Sequence, residues 1–134
     1  MSISAQQVKE LRDRTSAKMM DCKRALVETD GDLEKAVELL RKKSQSSADK
    51  KATKITGDGV VIAKLSDDGK KASLLEVNSQ TDFVARDESF SAFANSVVDL
   101  ALDKEISTAE GLLSTPLNGD QTVDQVRVEL VAKL

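Results

Sequence analysis

The chain has 134 residues, of which 40% are hydrophobic, 32% are charged and only 2% are aromatic. This composition places it among soluble globular proteins. The sequence contains no histidine, which excludes Ser-His-Asp and Cys-His nucleophiles and histidine-ligated zinc. A conventional hydrolase is therefore not expected, and the low aromatic content argues against a base-stacking platform for nucleic acid.

The compartment is indicated by the single cysteine and by the N-terminal sequence. Cys22 has no second cysteine to pair with, which is typical of the reducing cytoplasm. Residues 1–15 carry charges every few positions, and no stretch approaches the ~20 apolar residues of a membrane span. We expect a mature cytoplasmic protein with no membrane partner. Gly57 and Gly59 lack the Gly-Lys-Ser/Thr of a phosphate-binding loop, and no cofactor or metal is expected.

The net charge of −3 hides an asymmetry along the chain. Residues 1–54 hold 13 Lys and Arg against 9 Asp and Glu, whereas residues 55–134 hold 7 against 14. This distribution indicates two differently charged bodies joined by a linker. The basic segment could bind RNA electrostatically, but it has no aromatic residue, so direct nucleic-acid binding is not the favoured interpretation.

Residues 1–43 show a helical period three times, which predicts a minimal three-helix bundle. A hydroxyl of Thr15 or Ser16 is expected to cap the second helix. Gly31 is expected to end that helix in a left-handed conformation, and Asp32 to cap the third. The apolar positions of the three helices are Val8 and Leu11; Met19, Cys22 and Leu26; and Leu33, Ala36, Val37 and Leu40.

Residues 44–56 continue a Lys- and Ser-rich stretch (RKKSQSSADKKATKIT, residues 41–56) without apolar periodicity. This favours a solvated linker or a weak helix over a packed element. Residues 57–134 are then predicted to form a small α+β subdomain. It begins with strands at 59–66 and 71–78, which flank Asp68-Gly69, a dipeptide suited to a tight hairpin turn because both positions tolerate positive φ.

Helices are predicted to follow the hairpin. Asp87 is a plausible N-cap for a helix that runs to about residue 102 and carries Phe90 and Phe93 on its apolar side. Residues 103–121 are predicted to hold one short helix amid loop. A last helix is predicted to start near Val123. Its apolar stripe continues to Leu134, so we expect a fragment of a longer domain. The predicted fold class is α+β.

Two segments carry apolar residues that the helical pattern does not clearly place in a core, and both are candidates for protein contact. Met19 and Met20 are adjacent, so they point about 100° apart on a helix, and the spacing predicts that one lies in the core and the other at the surface. Neighbouring methionines suit an adaptable protein contact.

The second place is the segment around Phe83. If one helix runs unbroken from Thr81, Phe83 shares the apolar stripe of Phe90 and is buried. If Asp87 starts a new helix, Asp82 and Phe83 lie at an exposed corner, where the ring could enter an apolar pocket of a partner. The pattern leaves both alternatives open.

The chain resembles the elongation factor Ts family in residues 14–26 (RTSAKMMDCKRAL), in Gly31-Asp32 and in residues 75–85 (LEVNSQTDFVA). These segments occur in the family's order and at matching spacing. The resemblance implies an N-terminal ubiquitin-associated-like (UBA-like) three-helix domain followed by the first half of the family's core. Ser16 and Lys18 stand where the first segment usually has Gly, and Ser79 where the second usually has Cys.

The resemblance also implies a function. The family's members are guanine nucleotide exchange factors that act by binding elongation factor Tu, and the GDP and Mg²⁺ belong to that partner. Their helical domain docks on its G domain, and their Thr-Asp-Phe corner inserts near the bound nucleotide. The partner-binding positions that the resemblance implies here are Arg12, Met19, Met20, Lys23, Asp82, Phe83 and Leu134.

Two other functions are weighed against this one. The helical segment could be a UBA-like adapter that binds a protein or peptide without exchange activity. An enzyme that uses the paired carboxylates Asp67 and Asp68 is a weak alternative, because adjacent acids in a turn are usually solvated.

Overall fold

A computed structural model of the chain describes residues 2–134 and shows an α+β fold divided into two compact units. One unit holds the described residues up to Thr53 together with Val131–Leu134, and the other is Lys54–Leu130. The fold class predicted from the sequence is confirmed.

The first unit is built from the three predicted helices, α1 (Ala5–Thr15), α2 (Met19–Glu28) and α3 (Leu33–Lys51). Their apolar faces meet in a small aliphatic core. A bidentate ion pair also joins α1 to α3, since Arg14 donates to both carboxylate oxygens of Glu34 at 2.7 and 3.2 Å. This contact holds the pKa of Glu34 below its ordinary value. The buried core residues are Leu11, Cys22, Ala25, Leu26, Ala36, Val37 and Leu40.

The connection between α1 and α2 differs from the prediction. The N-cap of α2 is Lys18, whose side chain makes no capping bond, so the expected hydroxyl cap is wrong. The Thr15 hydroxyl instead donates to the carbonyl of Leu11 at 2.8 Å. Ser16 ends α1 in the left-handed conformation, with φ of +56°. This region favours glycine, which has no Cβ to strain it.

The connection between α2 and α3 follows local turn chemistry. Gly31 has the positive φ that was predicted, of +81°, but the left-handed end of α2 begins one residue earlier, at Asp30, with φ of +53°. The carboxylate of Asp32 accepts from the backbone N–H of Lys35 at 3.1 Å, which confirms Asp32 as the N-cap of α3. Helix α3 then continues to Lys51, through most of the residues expected to be linker or weak helix. Neither glycine nor proline interrupts residues 41–56, so the stretch contains no residue that breaks a helix.

The second unit begins with an antiparallel hairpin of β1 (Asp58–Leu65) and β2 (Ala72–Ser79). Both predicted strands are present and their ends shift by one residue. In the turn between them Gly69 adopts a positive φ, of +68°, and Asp68 does not, although both positions were expected to tolerate one. The Asp68 carboxylate accepts from the Ser66 hydroxyl at 2.6 Å and from the Lys70 N–H at 3.0 Å. These bonds stabilise the turn and lower the pKa of Asp68.

Helix α5 (Glu88–Asp103) packs on one face of this hairpin. The Asp87 carboxylate accepts from the backbone N–H groups of Ser89 and Phe90 at 2.8 and 3.3 Å, which confirms the predicted N-cap. An ion pair between Lys64 and Asp99 joins β1 to α5. The buried cluster of this unit is Val97, Ala101, Leu112 and Val123, with Leu75 and Phe93 packed against it.

The remaining elements belong to the second unit, except for the last residues of α7, which belong to the first. The predicted short helix is α6 (Ala109–Leu113), and the predicted last helix is α7 (Val123–Lys133). A small hairpin of β3 (Pro116–Asn118) and β4 (Gln121–Thr122) lies between them and was expected to be loop. A single turn of helix, α4 (Asp82–Ala85), connects β2 to α5.

The hairpin depends on a close backbone approach at Gly59. Its φ is +144°, and a Cβ there would overlap the carbonyl oxygen of Val77 and lie 2.8 Å from the Cα of Asn78. We predict that Gly59→Ala lowers the free energy of unfolding by roughly 1–3 kcal/mol in urea denaturation. The matched control is Gly57→Ala, whose Cβ would meet nothing within 4 Å. Equal effects of the two substitutions would contradict the predicted strain.

Candidate functional site

Helix α2 presents an apolar surface to solvent. The core face of α2 is formed by Cys22, Ala25 and Leu26, and neither methionine joins it. Met19 is 57% exposed and Met20 is 56% exposed. The prediction that one methionine is buried is therefore wrong, because α2 turns Cys22, Ala25 and Leu26 toward the core and leaves both methionines outside it.

Cys22 orients this helix as a buried core residue and is not a reactive cysteine. Its thiol is fully buried and lies 3.8 Å from the carbonyl of Ala17, to which it donates. Burial raises the pKa of the Cys22 thiol, so the reactive thiolate is disfavoured. Cys22 thus acts as a small apolar side chain that directs the opposite face of α2 outward.

Cationic residues lie close to the methionines along the chain. Lys18, the N-cap of α2, and Lys23 within α2 are exposed, as is Arg12 in the last turn of α1. Arg12 lies on a different helix from the other residues predicted here, but in the same unit. Lys18 and Lys23 are within four residues of both methionines, and the acidic Asp21 follows Met20.

Val27 was not predicted as a surface residue and belongs to the same face of α2. It is exposed and lies seven residues after Met20, which returns to within about 20° of the same direction on a helix. The i, i+7 spacing from Met20 could have predicted that Val27 lies on this face. Met20 and Val27 thus form an outward apolar stripe, with Lys23 and Arg24 between them along the helix.

The second candidate surface is the corner that follows β2. Ser79 is buried, and its hydroxyl donates to the carbonyl of Thr81 at 2.9 Å. The Thr81 hydroxyl in turn accepts from the backbone N–H of Val84 at 3.3 Å and caps α4. Two side-chain bonds therefore fix the backbone on the N-terminal side of Phe83.

Phe83 lies on the outer side of this corner and is 89% exposed. The alternative in which one helix runs unbroken from Thr81 is wrong, because α4 ends at Ala85 and Asp87 caps a separate helix. Val84 and Ala85 are half-buried against the unit, so the ring is directed away from the side that packs.

Asp82 and Phe83 are adjacent, and Asp82 has a partner within the corner. Its carboxylate lies 2.7 Å from the guanidinium of Arg86, one turn later. Both side chains are exposed, so the pair adds little stability. It holds the carboxylate beside the turn. Leu134, the remaining predicted site residue, follows the last residue of α7 and is 37% exposed.

The described residues also bear on metal sites and membrane spans. Among residues 2–134, no three His, Cys, Asp or Glu side chains are placed to hold a metal ion. No helix over the same residues is long and apolar enough to cross a membrane. Asp68, one of the paired carboxylates, is used by its own turn, which gives it a structural explanation.

The exposure of Phe83 predicts that its ring contributes little to folding. We expect Phe83→Ala to change the free energy of unfolding by less than about 0.5 kcal/mol. The matched control is Phe90→Ala, since Phe90 is buried at the start of α5 and its loss should cost about 3–5 kcal/mol. Urea denaturation of both variants and the parent checks this. A Phe83→Ala variant as unstable as Phe90→Ala would contradict the exposed corner.

Comparison with known proteins identifies relatives of the whole chain. The sequence profile of the family described as Elongation factor TS matches residues 80–134. The elongation factor Ts of Clostridium perfringens is 51% identical over 132 residues, which are 98% of this chain and 44% of that protein. The elongation factor Ts of Halorhodospira halophila is 51% identical over 134 residues, and that of Psychrobacter arcticus is 48% identical, with 46% and 45% of those proteins covered.

The chain spans somewhat less than half the length of the curated relatives it matches. The match extends over both candidate surfaces, because it covers this chain almost completely. The resemblance indicated by residues 14–26 and 75–85 is therefore confirmed, and this chain is similar over its whole length to proteins of the elongation factor Ts family.

Proposed function

We propose that this chain acts in translation elongation as a guanine nucleotide exchange factor for elongation factor Tu, in the cytoplasm. Support comes from similarity, over the whole length of this chain, to proteins named elongation factor Ts. The proposal assigns the chain a binding role rather than bond chemistry, so it requires no catalytic residue.

The observation that carries the proposal is the exposure of Phe83 on a capped turn. A phenylalanine that is 89% exposed gains almost nothing from its own fold, since the hydrophobic effect rewards only area removed from water. Its backbone is held by the Ser79 and Thr81 hydroxyl bonds. The backbone that carries the ring therefore loses little conformational freedom on binding, which favours the use of Phe83 as an anchor in a partner's pocket.

Exchange follows if the corner binds one state of the partner better than another. An exchange factor binds the nucleotide-depleted partner more tightly than the GDP-bound partner, and by linkage GDP and the factor weaken each other's binding equally. Phe83 produces this preference if the partner's pocket for its ring is open only when the partner's nucleotide site is disturbed.

The proposed disturbance reaches the partner's Mg²⁺, which holds the phosphate oxygens of its GDP. Insertion of the Phe83 ring displaces the helix or waters that orient the ligands of that ion, and the attraction for the phosphates falls. Asp82, paired with Arg86, keeps the corner in shape during insertion. GDP and Mg²⁺ are ligands of the partner in this mechanism.

The α2 surface is proposed to supply affinity rather than exchange. Met19 and Met20 are exposed and adaptable, and the nearby Lys23 and Arg12 steer an acidic partner surface toward them. These four residues are proposed to dock on the G domain of elongation factor Tu. Leu134 is proposed as a further apolar contact.

The first experiment measures release of fluorescent GDP from elongation factor Tu at a saturating concentration of this chain. We predict that Phe83→Ala slows release by roughly tenfold or more, because truncating a buried anchor typically costs about 2 kcal/mol. The control is Ile55→Ala, since Ile55 is also highly exposed in the same unit but has no proposed contact. Its release rate should equal the parent's.

Two outcomes of this experiment would contradict the proposal. If the parent chain leaves the release rate of GDP unchanged at every concentration, the chain is not an exchange factor. If the parent accelerates release and Phe83→Ala does so equally, exchange does not depend on the ring.

The second experiment separates docking from exchange. We predict that Met20→Ala raises the dissociation constant for elongation factor Tu roughly five- to thirtyfold but leaves the release rate unchanged once the complex is saturated. The conservative control Met20→Leu should stay within about threefold of the parent, because leucine and methionine have similar volumes. Calorimetric titration measures the constants.

The two experiments together also distinguish an exchange factor from a UBA-like adapter. A UBA-like adapter would bind through α2 and lose affinity in Met20→Ala, but its parent chain would not accelerate GDP release. An unchanged dissociation constant in Met20→Ala would remove the α2 surface from the docking site.

A further inference from the structure

Ser79 is the one buried polar side chain among residues 2–134, which the structure describes, and it is 5% exposed. It is the last residue of β2, and the register pairs it with Asp58 of β1. A buried hydroxyl weakens a fold unless it is hydrogen-bonded. The contribution of Ser79 therefore depends on the bond that its hydroxyl makes.

The acceptor of that bond is the carbonyl oxygen of Thr81, which is also the first acceptor of α4. The Ser79 hydroxyl donates to this oxygen at 2.9 Å, and the backbone N–H of Ala85 donates to the same oxygen at 3.3 Å. A carbonyl oxygen has two lone pairs, so it can accept both bonds. Together the two bonds fix the orientation of the peptide group that joins Thr81 to Asp82.

The direction of the Phe83 ring depends on this peptide group. Phe83 is the second residue of α4, which has four residues and is too short to be stable without outside contacts. A peptide group is rigid and planar, so a rotation of the group between Thr81 and Asp82 redirects the turn that follows. The bond from Ser79 therefore supplies orientation that α4 cannot supply by itself.

The donor is held in turn by the end of the hairpin. Gly59 approaches β2 so closely that a Cβ there would overlap the carbonyl oxygen of Val77 and lie 2.8 Å from the Cα of Asn78. Ser79 follows Asn78 directly and is buried. Its hydroxyl therefore connects a tightly packed part of the hairpin to the exposed corner.

We propose that Ser79 is a positioning residue for nucleotide exchange and acts through Phe83. Its hydroxyl holds α4 in the direction that presents the Phe83 ring before the partner binds. This inference rests on the proposed function, since it requires that the ring enters a pocket of elongation factor Tu. It extends that function to a buried side chain that belongs to neither exposed surface.

Loss of the bond should change the rate of release in the saturated complex more than the affinity. Without it α4 adopts several directions, and only a fraction of the complexes carry the ring in its pocket. The contacts proposed for Met19 and Met20 on α2 remain. A positioning residue therefore lowers the saturated rate of GDP release, whereas a docking residue raises the concentration needed for saturation.

The kinetic test measures release of fluorescent GDP from elongation factor Tu saturated with the full chain. Ser79→Ala should slow release roughly five- to tenfold, because the Thr81 carbonyl loses a donor that alanine cannot replace. Ser79→Cys should be intermediate, since a thiol is a weaker donor. The matched control Ser73→Ala alters a half-buried serine of the same strand and should release GDP at the parent's rate.

A double substitution separates positioning from general destabilisation. In a Phe83→Ala background, Ser79→Ala should change the release rate by less than about twofold, because the ring through which Ser79 acts is absent. A substitution that merely weakened the fold would slow release by the same factor with and without the ring. Urea denaturation of each variant verifies that the chain is folded under the conditions of the assay.

Hydrogen exchange of backbone amides, measured by NMR on the chain alone, tests the positioning without the partner. Ser79→Ala should speed exchange at Val84 and Ala85 at least about threefold, because both N–H groups bond to Thr81. The N–H of Ser91, which bonds to the Asp87 carbonyl at the start of α5, should exchange as in the parent.

Four results would overturn the proposal. Unchanged amide exchange at Val84 and Ala85 would show that the hydroxyl does not hold α4. A Ser79→Ala variant that releases GDP at the parent's rate, while Phe83→Ala is slow, would show that exchange does not need the held direction. Equal slowing with and without the ring would indicate destabilisation alone. A Ser79→Cys variant no faster than Ser79→Ala would contradict a role for the donated bond.

Failure of the proposed function gives a different result. If the parent chain does not accelerate GDP release, the exchange role of Ser79 fails together with that of Phe83. Amide exchange still shows in that case whether Ser79 orients the turn, so the two failures are distinguishable.

Discussion

The bonds that Asp87 makes at the start of α5 determine where Phe83 lies. Its carboxylate accepts from the N–H groups of Ser89 and Phe90, so α5 begins at residue 88 and its apolar stripe begins with Phe90. A helix that started at Thr81 would carry Phe83 on that stripe and into the core. The separate cap at Thr81 gives the preceding turn its own direction. The two caps together expose a phenylalanine that the aliphatic core could otherwise have buried.

The exposed apolar side chains fall into separate places with different surroundings. Those of α2 lie close in sequence to Lys18 and Lys23, and α2 lies in the segment where basic residues exceed acidic ones. Phe83 stands beside the paired charges of Asp82 and Arg86. On the outer face of the β1–β2 hairpin, Leu65 and Leu74 are each paired across the strands with an alanine. The first two settings suit different contacts, since charge favours an acidic protein surface and a lone ring favours a pocket.

Local chemistry explains which parts of the fold were predictable. Gly31, Asp32 and Asp87 act on backbone groups within a few residues, and both strands of the hairpin follow from their apolar runs.

The predictions failed where the outcome depended on contacts distant in sequence. Neither methionine of α2 is buried, because the face of α2 that meets the core is formed by Cys22, Ala25 and Leu26. The β3–β4 hairpin is too short to show an apolar period. The pattern of residues 81–90 fitted a buried and an exposed Phe83 equally, and only the cap bonds separate the two. No comparable local pattern predicts the roles of Arg12 or Leu134, which rest on family resemblance.

The central claim is that Phe83 distinguishes two states of elongation factor Tu. Dissociation constants measured for the nucleotide-free partner and for the partner loaded with GDP and Mg²⁺, each with the parent chain and with Phe83→Ala, test it directly. The account predicts that Phe83→Ala weakens binding to the nucleotide-free partner by roughly tenfold or more and changes binding to the GDP-loaded partner far less. An equal loss of affinity for both states would contradict it, because the ring would then anchor the complex without favouring release of the nucleotide.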